Sequence, residues 1–334
     1  MTTSRAIGYR HNHPVTVSDA LVTEDVDLPV IGPHDLLVQV QAVSVNPVDV
    51  KLRVSAPTDG LRILGFDAAG TVVATGEEVE LFSVGDEVYY AGALDRPGTN
   101  QTLHAVDERL VGHKPRTLTM AEAAALPLTV ITAWEALFDH LRLDASSRGR
   151  LLIVGATGGV GLAMTQLAHT LLPDVEIIAT ASTTERAGLV RSLGASQVVD
   201  HHGELAQQIT SVAPGGVDWL FTAYSQDQMD VYAQIVTPFG HIVAIDDGAR
   251  DVTPLKSKAI AWHWEFMFAR SLHQTADMAV QHDLLETVTE LVDAGRLRPI
   301  IEHDLSPISA HTLRQAHKLV ESGHLAGKVV LHDW

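Results

Sequence analysis

The part of this chain best suited to chemistry carries almost no side chains. Gly155, Ala156, Thr157, Gly158, Gly159, Val160 and Gly161 follow the apolar run "LLIV" (151–154) and precede a helix-forming run. A glycine-rich turn between strand and helix aims backbone N–H groups and the positive end of the helix dipole at an anion, and the missing side chains let a pyrophosphate approach. The spacing departs from strict G-x-G-x-x-G, and a tight turn that holds nothing would use the same residues. The setting favours a nucleotide: a strand before, a helix after, and a second strand about 20 residues on. The candidate phosphate contacts are Ala156, Thr157, Gly158, Gly159, Val160 and Gly161.

The second strand, "VEIIATA" (175–181), sharpens the choice of cofactor. NAD sites place an Asp or Glu at this tip to bond the ribose 2′-hydroxyl. Here the tip reads Ala181, Ser182, Thr183, Thr184, Glu185, Arg186. Hydroxyls and an arginine suit the extra phosphate of NADP(H), so Ser182 and Arg186 are candidate contacts and NADPH is the expected cofactor. Glu185 is assigned to a helix cap, since "STTE" has capping-box spacing. A plain solvated charge is the alternative for Arg186.

These residues need a scaffold, and the chain changes texture near residue 120. Before it, short β-type runs such as "DLLVQVQAVSVN" (35–46) and "GDEVYYAG" (85–92) are separated by Gly, Pro and Asp, and read as an antiparallel, barrel-like unit. Beyond it, apolar strands alternate with helices, which argues for a parallel sheet covered on both faces. From about 267 come two helices and a closing strand, "GKVVLHDW", expected to return to the first unit.

Composition bounds the function. The 334 residues give two domains as the starting expectation. With 46% hydrophobic and 19% charged residues, there is ample material for a core. No apolar run approaches the roughly 20 residues that span a bilayer, and no secretory signal is visible, so a cytoplasmic protein without membrane partners is expected. The absence of cysteine excludes disulfides, thiolate metal sites and a cysteine nucleophile. A formal charge of −18 repels nucleic acid and reads as a device for solubility. The histidine pairs His11/His13 and His201/His202 fall on expected loops and read as surface histidines, with no native metal site.

Taken with "LPLTVITAWEAL" (126–137) and "LGASQVVDH" (193–201), the glycine stretch resembles the medium-chain dehydrogenase/reductase superfamily, in its zinc-independent quinone oxidoreductase branch. "VSVNPVDVKLR" (43–53), "ILGFDAAGTVVATG" (63–76), "FSVGDEVYYAG" (82–92) and "SGHLAGKVVL" (322–331) extend the likeness over nearly the whole chain. "PLKSKAIAWHWEFMFARS" (254–271) is similar to a bacterial subgroup labelled zinc-type alcohol dehydrogenase-like. The resemblance implies an α/β protein: a GroES-like catalytic domain with an antiparallel β-barrel-type sheet (1–126), a doubly wound Rossmann domain (127–266), and a segment (267–334) rejoining the first.

It also implies where a catalytic zinc would sit in relatives. The corresponding positions hold Asn46, Phe66 and about Leu128, which is no ligand set for tetrahedral zinc. Without that Lewis acid, acceptors that spread incoming charge through conjugation are the easier substrates: quinones and α,β-unsaturated carbonyls. Zinc-free oxidoreduction of alcohols or aldehydes, and NADPH binding without fast turnover, are the alternatives. By resemblance, Asn46 positions cofactor or substrate and Thr132 contacts the nicotinamide side. Asp49 and Lys51 orient water or donate a proton, with a salt bridge as the alternative. Lys328 reaches the cofactor phosphates or is a surface charge. Tyr89 and Tyr90 follow "GDEV" (85–88) on an expected strand, with packing expected for at least one. "WHWEF" (262–266) closes the nucleotide domain and suits either a homodimer interface or core packing.

Overall fold

The computed structural model describes residues 3–200 and 202–334, so His201 lies outside the described residues. The chain divides into two compact units, residues 1–131 with 268–334, and residues 132–267.

In the first unit the chain runs through β1 (Thr3–Tyr9), β2 (Val22–Asp27), β3 (Asp35–Val45), α1 (Pro47–Ser55), β4 (Arg62–Ile63), β5 (Ala68–Thr75), β6 (Glu87–Tyr90), β7 (Leu103–Asp107) and β8 (Val111–His113). Then come α2 (Met120–Ala124) and α3 (Pro127–Trp134), within which the division between units falls. The alternation expected over 35–46 appears in β3: Leu36, Val38, Val40 and Ala42 are buried while Gln39 is exposed. Burying each such aliphatic side chain is worth about 1.5–3 kcal/mol, which sets the register of the strand against the core. Strands β3, β5, β6 and β8 pair antiparallel in sequence order, and β7 joins β3. A small sheet orders β2-β1-β4 beside them.

The second unit holds β9 (Gly149–Val154), α4 (Gly159–Leu171), β10 (Val175–Thr180), α5 (Thr184–Ser192), β11 (Gln197–Val199), α6 (Leu205–Val212), β12 (Val217–Thr222), α7 (Met229–Ile235), β13 (Val236–Ala244) and β14 (Ala261–Trp264). All its strands are parallel, in the order β11-β10-β9-β12-β13-β14. The order reverses between β9 and β12, the position where open α/β sheets bind ligands beyond their strand ends. Leu152, Ile178, Leu220, Ile242 and Tyr232 form the core on one face. Strand β14 covers Ala261–Trp264, so of "WHWEF" (262–266) only its first three residues lie in the strand, after a 3₁₀ turn over Thr253–Lys258.

The remaining elements, α8 (Ala269–Leu272), α9 (Val280–Asp293), β15 (Ile301–Leu305), α10 (Ala310–Glu321) and β16 (Lys328–His332), belong to the first unit. Strand β16 pairs antiparallel with β3, and β15 lies parallel to β16, extending the main sheet. One correction concerns membranes. The helical stretch Met120–His140 is 21 residues long and apolar enough, by length and composition, to cross a bilayer, and the sequence reading missed it. Of its most apolar window, 78% is buried within the protein, as in a core helix.

Candidate active site

Two candidate sites emerge, one in each unit. In the second unit the strand β9 ends at Gly155, whose φ of +86° turns the chain toward α4. Its N–H donates to Thr180 Oγ1 at 3.0 Å, tying the loop to the tip of β10. Gly158 stands at the N-cap, and the first helical bond within α4 runs from Leu162 N–H to the Gly158 carbonyl at 2.9 Å. The N–H groups of Gly159, Val160 and Gly161 therefore open the helix without intrahelical acceptors, which is the arrangement an anion uses. A Cβ on Gly161 would lie 2.4 Å from the Gly155 carbonyl oxygen and 2.5 Å from the Ala156 Cα. Only glycine lets this helix pack so closely on its own loop. Ala156 is fully buried, while Thr157 is half-buried. This cradle fits a dinucleotide pyrophosphate.

At the tip of β10, Ser182 and Arg186 are half-buried and Glu185 is exposed. The expected cap shifts by one residue. Thr183 is the N-cap of α5, accepting from the Arg186 N–H at 3.2 Å, and Glu185 occupies the second helical position. Glu185 is thus not the reciprocal partner of a capping box, although an acid in the first turn still complements the helix dipole. Sequence reasoning missed Thr180 and a half-buried ring joining the ends of β12 and β13. Ser225 donates through N–H and Oγ to Asp246, both at 2.7 Å, and Arg250 donates to both residues. Burial opposes the charge of Asp246, but the Ser225 and Arg250 donors hold its carboxyl below the ordinary range. A cavity of about 560 Å³ adjoins this ring, lined in part by Asp247 and Arg250.

In the first unit, three adjacent strands bring a polar network together. Val329 pairs with Val45 and Ala68 with Val43, so Lys328, Asn46 and Asp67 meet at the end of the sheet. Asn46 Nδ2 donates to Asp67 Oδ2 at 2.7 Å and lies 3.4 Å from the Phe66 carbonyl oxygen. Lys328 Nζ donates to Asp67 Oδ2 at 2.9 Å and to Asn46 Oδ1. The other Asp67 oxygen accepts the Leu128 N–H at 2.8 Å, at the start of α3. Burial pushes the Asp67 carboxyl up, and the Lys328 ammonium, the Asn46 amide and the Leu128 N–H counter it. Sequence reasoning passed over Asp67. Its signal was a single acid inside the apolar run "ILGFDAAGTVV" (63–73), where a buried carboxylate requires a partner.

The other first-unit candidates have distinct places. Asp49 is fully buried and accepts the Asn46 N–H and the Gly65 N–H, both at 2.8 Å, so it clamps the start of α1 to the loop before β5. Burial, with a smaller contribution from Asp67, raises its carboxyl to about 7 against those two bonds. Its oxygens serve the backbone, in place of the water-orienting role envisaged for it. Lys51 is exposed on α1, while Thr132 on α3 is 5% exposed and belongs to the second unit. Lys328 is 6% exposed, so the surface-charge alternative is excluded, and its ammonium is engaged within the network. Both tyrosines are interior: Tyr89 donates to the Leu285 carbonyl at 2.7 Å, and the Tyr90 hydroxyl lies 3.1 Å from His104 Nδ1. His11 and His202 are exposed, and His13 is half-buried.

The fold and the glycine cradle define an oxidoreductase of the medium-chain dehydrogenase/reductase superfamily, a family that binds a nicotinamide cofactor, and the chain belongs to it. Residues 32–132 match the alcohol dehydrogenase GroES-like domain, and residues 193–331 match the zinc-binding dehydrogenase family. A zinc-type alcohol dehydrogenase-like protein of Staphylococcus aureus (strain MSSA476) is 39% identical, over 89% of this chain and 90% of that relative. The human mitochondrial NAD(P)H oxidoreductase RTN4IP1 is 32% identical, over 93% of this chain and 85% of its own. The crystal structure of a putative zinc-dependent alcohol dehydrogenase from Rhizobium etli CFN 42 superimposes with a TM-score of 0.96 at 45% identity, covering 100% and 99% of the two chains.

The zinc in those names can be tested on the residues present. Positions 46, 66 and 128 do converge, through the Asn46 amide at the Phe66 carbonyl and the shared partner Asp67. They offer one amide already bonded on both sides and two apolar side chains, which is not a zinc donor set. Among the described residues no group of three or more His, Cys, Asp or Glu is arranged to hold a metal ion.

Proposed function

We propose that this oxidoreductase uses NADPH to reduce a quinone or an α,β-unsaturated carbonyl without a metal. The observation that carries the reading is the convergence of positions 46, 66 and 128 on an ammonium–carboxylate–amide network. A metal-free site favours acceptors whose own conjugation spreads the incoming negative charge, since nothing there matches zinc as a Lewis acid for an unactivated alkoxide. When bound, the reduced nicotinamide supplies the hydride. The chain's part is to hold the pyrophosphate on the α4 N-terminus, orient the acceptor and place donors near its oxygen. NADPH over NADH is supported by a β10 tip with Ser182 and Arg186 but no carboxylate before Glu185.

The test is NADPH consumption by chelator-treated protein against an ortho-quinone, a para-quinone and an enone, beside a simple alcohol with NADP⁺. Turnover on the conjugated acceptors with silence on the alcohol supports the reading. Silence throughout, beside tight NADPH binding, supports a binding role, and stoichiometric zinc in the purified protein overturns the metal-free site. Replacing Arg186 by alanine should reduce the preference for NADPH over NADH. A homodimer joined at β14 belongs to the same proposal: this strand ends the six-stranded sheet and carries Trp264, 45% exposed, with Phe266 beyond it at 49%. Light scattering of the purified protein tests it, and a monomer mass would reject it.

A further inference from the structure

We propose that Tyr224 is the surface on which a flat ring of the nicotinamide cofactor, adenine or nicotinamide, is stacked. The inference rests on the cofactor that the family binds, and on the NADPH reading only for the choice of probe. A lone exposed aromatic is ordinary on a protein surface, and Tyr224 is 65% exposed. Its place and its support set it apart. It follows β12, which lies beside β9 where the strand order reverses, and β9 leads into the glycine cradle. A Cβ on Gly155 would stand 3.1 Å from the Ala223 Cβ, and 3.6 and 3.8 Å from the Tyr224 Cε2 and Cδ2. The edge of the aromatic ring therefore borders the first residue of the cradle, within the second unit.

A closed circuit of hydrogen bonds fixes the backbone of this residue. The Tyr224 N–H donates to Thr222 Oγ1 at 3.0 Å, and the Tyr224 carbonyl accepts the Tyr232 hydroxyl at 2.9 Å. The Thr222 and Tyr232 hydroxyls, both on fully buried residues, lie 2.8 Å apart and close the circuit. Its neighbours are tied as well. The Ala223 N–H donates to the Val154 carbonyl at the end of β9, and Asp246, braced by Arg250, accepts from Ser225. The polar ring that joins β12 to β13 is thus the outer anchor of Tyr224.

All this bonding ends at the backbone and leaves the aromatic side chain open to solvent. A tyrosine has only two side-chain torsions to restrict, so a planar ligand on its face costs little ordering. Base stacking on an aromatic ring is worth enough to anchor one end of a dinucleotide, and needs no hydrogen bond to do it. The cofactor carries a flat heterocycle on either side of its pyrophosphate, so a platform bordering the pyrophosphate cradle can serve either. Thr222 and Tyr232 are then positioning residues, which act through the backbone of Tyr224.

The test is calorimetric titration of wild type, Tyr224→Ala, Tyr224→Phe and Tyr232→Phe with NADPH and with 2′,5′-ADP, beside thermal melting without ligand. Because the side chain is exposed, both Tyr224 variants should melt near wild type. Tyr224→Ala should bind NADPH about 5- to 100-fold more weakly, the range of base–aromatic stacking, while Tyr224→Phe stays within about twofold. An equal loss for 2′,5′-ADP, which lacks nicotinamide, assigns the stack to adenine, and an unchanged affinity assigns it to nicotinamide. Tyr232→Phe should weaken NADPH severalfold, and should have no further effect once Tyr224 is alanine.

Unchanged NADPH affinity in Tyr224→Ala would overturn the proposal and leave the tyrosine an ordinary surface residue. A phenylalanine variant as weak as the alanine one would also overturn it, since the contact would then belong to the hydroxyl. A wild type that prefers NADH is a separate result: it rejects the NADPH reading, and the same variants titrated with NADH and ADP decide the stack.

Discussion

The two candidate sites are built from opposite materials. The cradle in the second unit is contiguous, seven residues long, and works through backbone N–H groups that side chains would obstruct. The network in the first unit draws on residues 46, 49, 67, 128 and 328, delivered by strands and helices far apart in sequence, and is mostly side chain. A backbone site is broken by adding bulk and a side-chain site by removing a partner. The same size of perturbation, applied with opposite sign, therefore tests each.

The largest effect is expected at Asp67. Its carboxylate holds the Lys328 ammonium, the Asn46 amide and the first turn of α3 at once. Asp67→Ala leaves a nearly buried ammonium unpaired, and breaking a buried pair in this way costs about 3–5 kcal/mol. Urea denaturation of wild type and variant measures it directly. A loss under about 1 kcal/mol would mean that the network is loosely held and that the contrast between the sites is false.

The contrast also explains what could be read before the structure. The cradle was legible because its residues are neighbours and their meaning is steric: small residues between a strand and a helix. The parallel sheet followed from the alternation of apolar strands with helices, and β3 from its period of two. In the network, Asn46, Asp49 and Lys328 were picked out singly, but not as partners. Lys328 lies 282 positions from Asn46, and only the antiparallel register of β16 on β3 brings them together. Asp67 was passed over because a lone acid in an apolar run states a need for a partner without naming it. The α5 cap slipped by one residue because Ser182 and Thr183 are both good caps, and spacing alone chose the wrong one.

The cradle should fail next most severely. At Gly161 an added methyl meets backbone at 2.4 and 2.5 Å, and backbone cannot rotate away as a side chain can. Gly161→Ala is expected to cost about 1–3 kcal/mol and to weaken NADPH binding together with stability. Gly158→Ala is the control: φ is −76° and the nearest atom to a new Cβ is 3.5 Å away. Calorimetry with and without NADPH should separate the two variants clearly. Equal behaviour would show that α4 does not depend on this close approach.

Asp49 gives a smaller effect, visible against pH. Burial raises its folded value from 3.8 to about 7. The folded protein therefore holds this proton through a range where the unfolded chain has released it, so stability falls as pH rises from about 4 to 7. Asp49→Asn carries no such charge and keeps one acceptor for the backbone. Relative to wild type, the variant should gain melting temperature between pH 5 and pH 8. A difference that stays constant across that range would mean the two backbone donors already satisfy the carboxylate.

The smallest effect tests the other extreme, a partly exposed pair in the same unit. His113 on β8 bonds Glu286 on α9, with Nδ1 at 3.0 Å from Oε1 and the His113 N–H at 2.6 Å, clipping the returning segment to the sheet. The Glu286 hydrogen bond raises the His113 value above 6.5; for Glu286, burial opposes its charge, but the bonds from His113 hold its carboxyl below the ordinary 4.5. The histidine's contribution is complete below 6.5 and is lost as pH rises through its folded value, while the carboxylate's is lost as pH falls below about 4.5. The pair is therefore strongest between those limits, near pH 5.5. With the side chains 42% and 35% exposed, solvent and salt screen it to about 0.5 kcal/mol or less. The stability difference between wild type and His113→Gln should peak near pH 5.5, fade as pH rises through the histidine's folded value and shrink in 1 M salt. A difference as large as that at Asp67, or one indifferent to salt, would show that burial is not what separates the strong network from the weak clip.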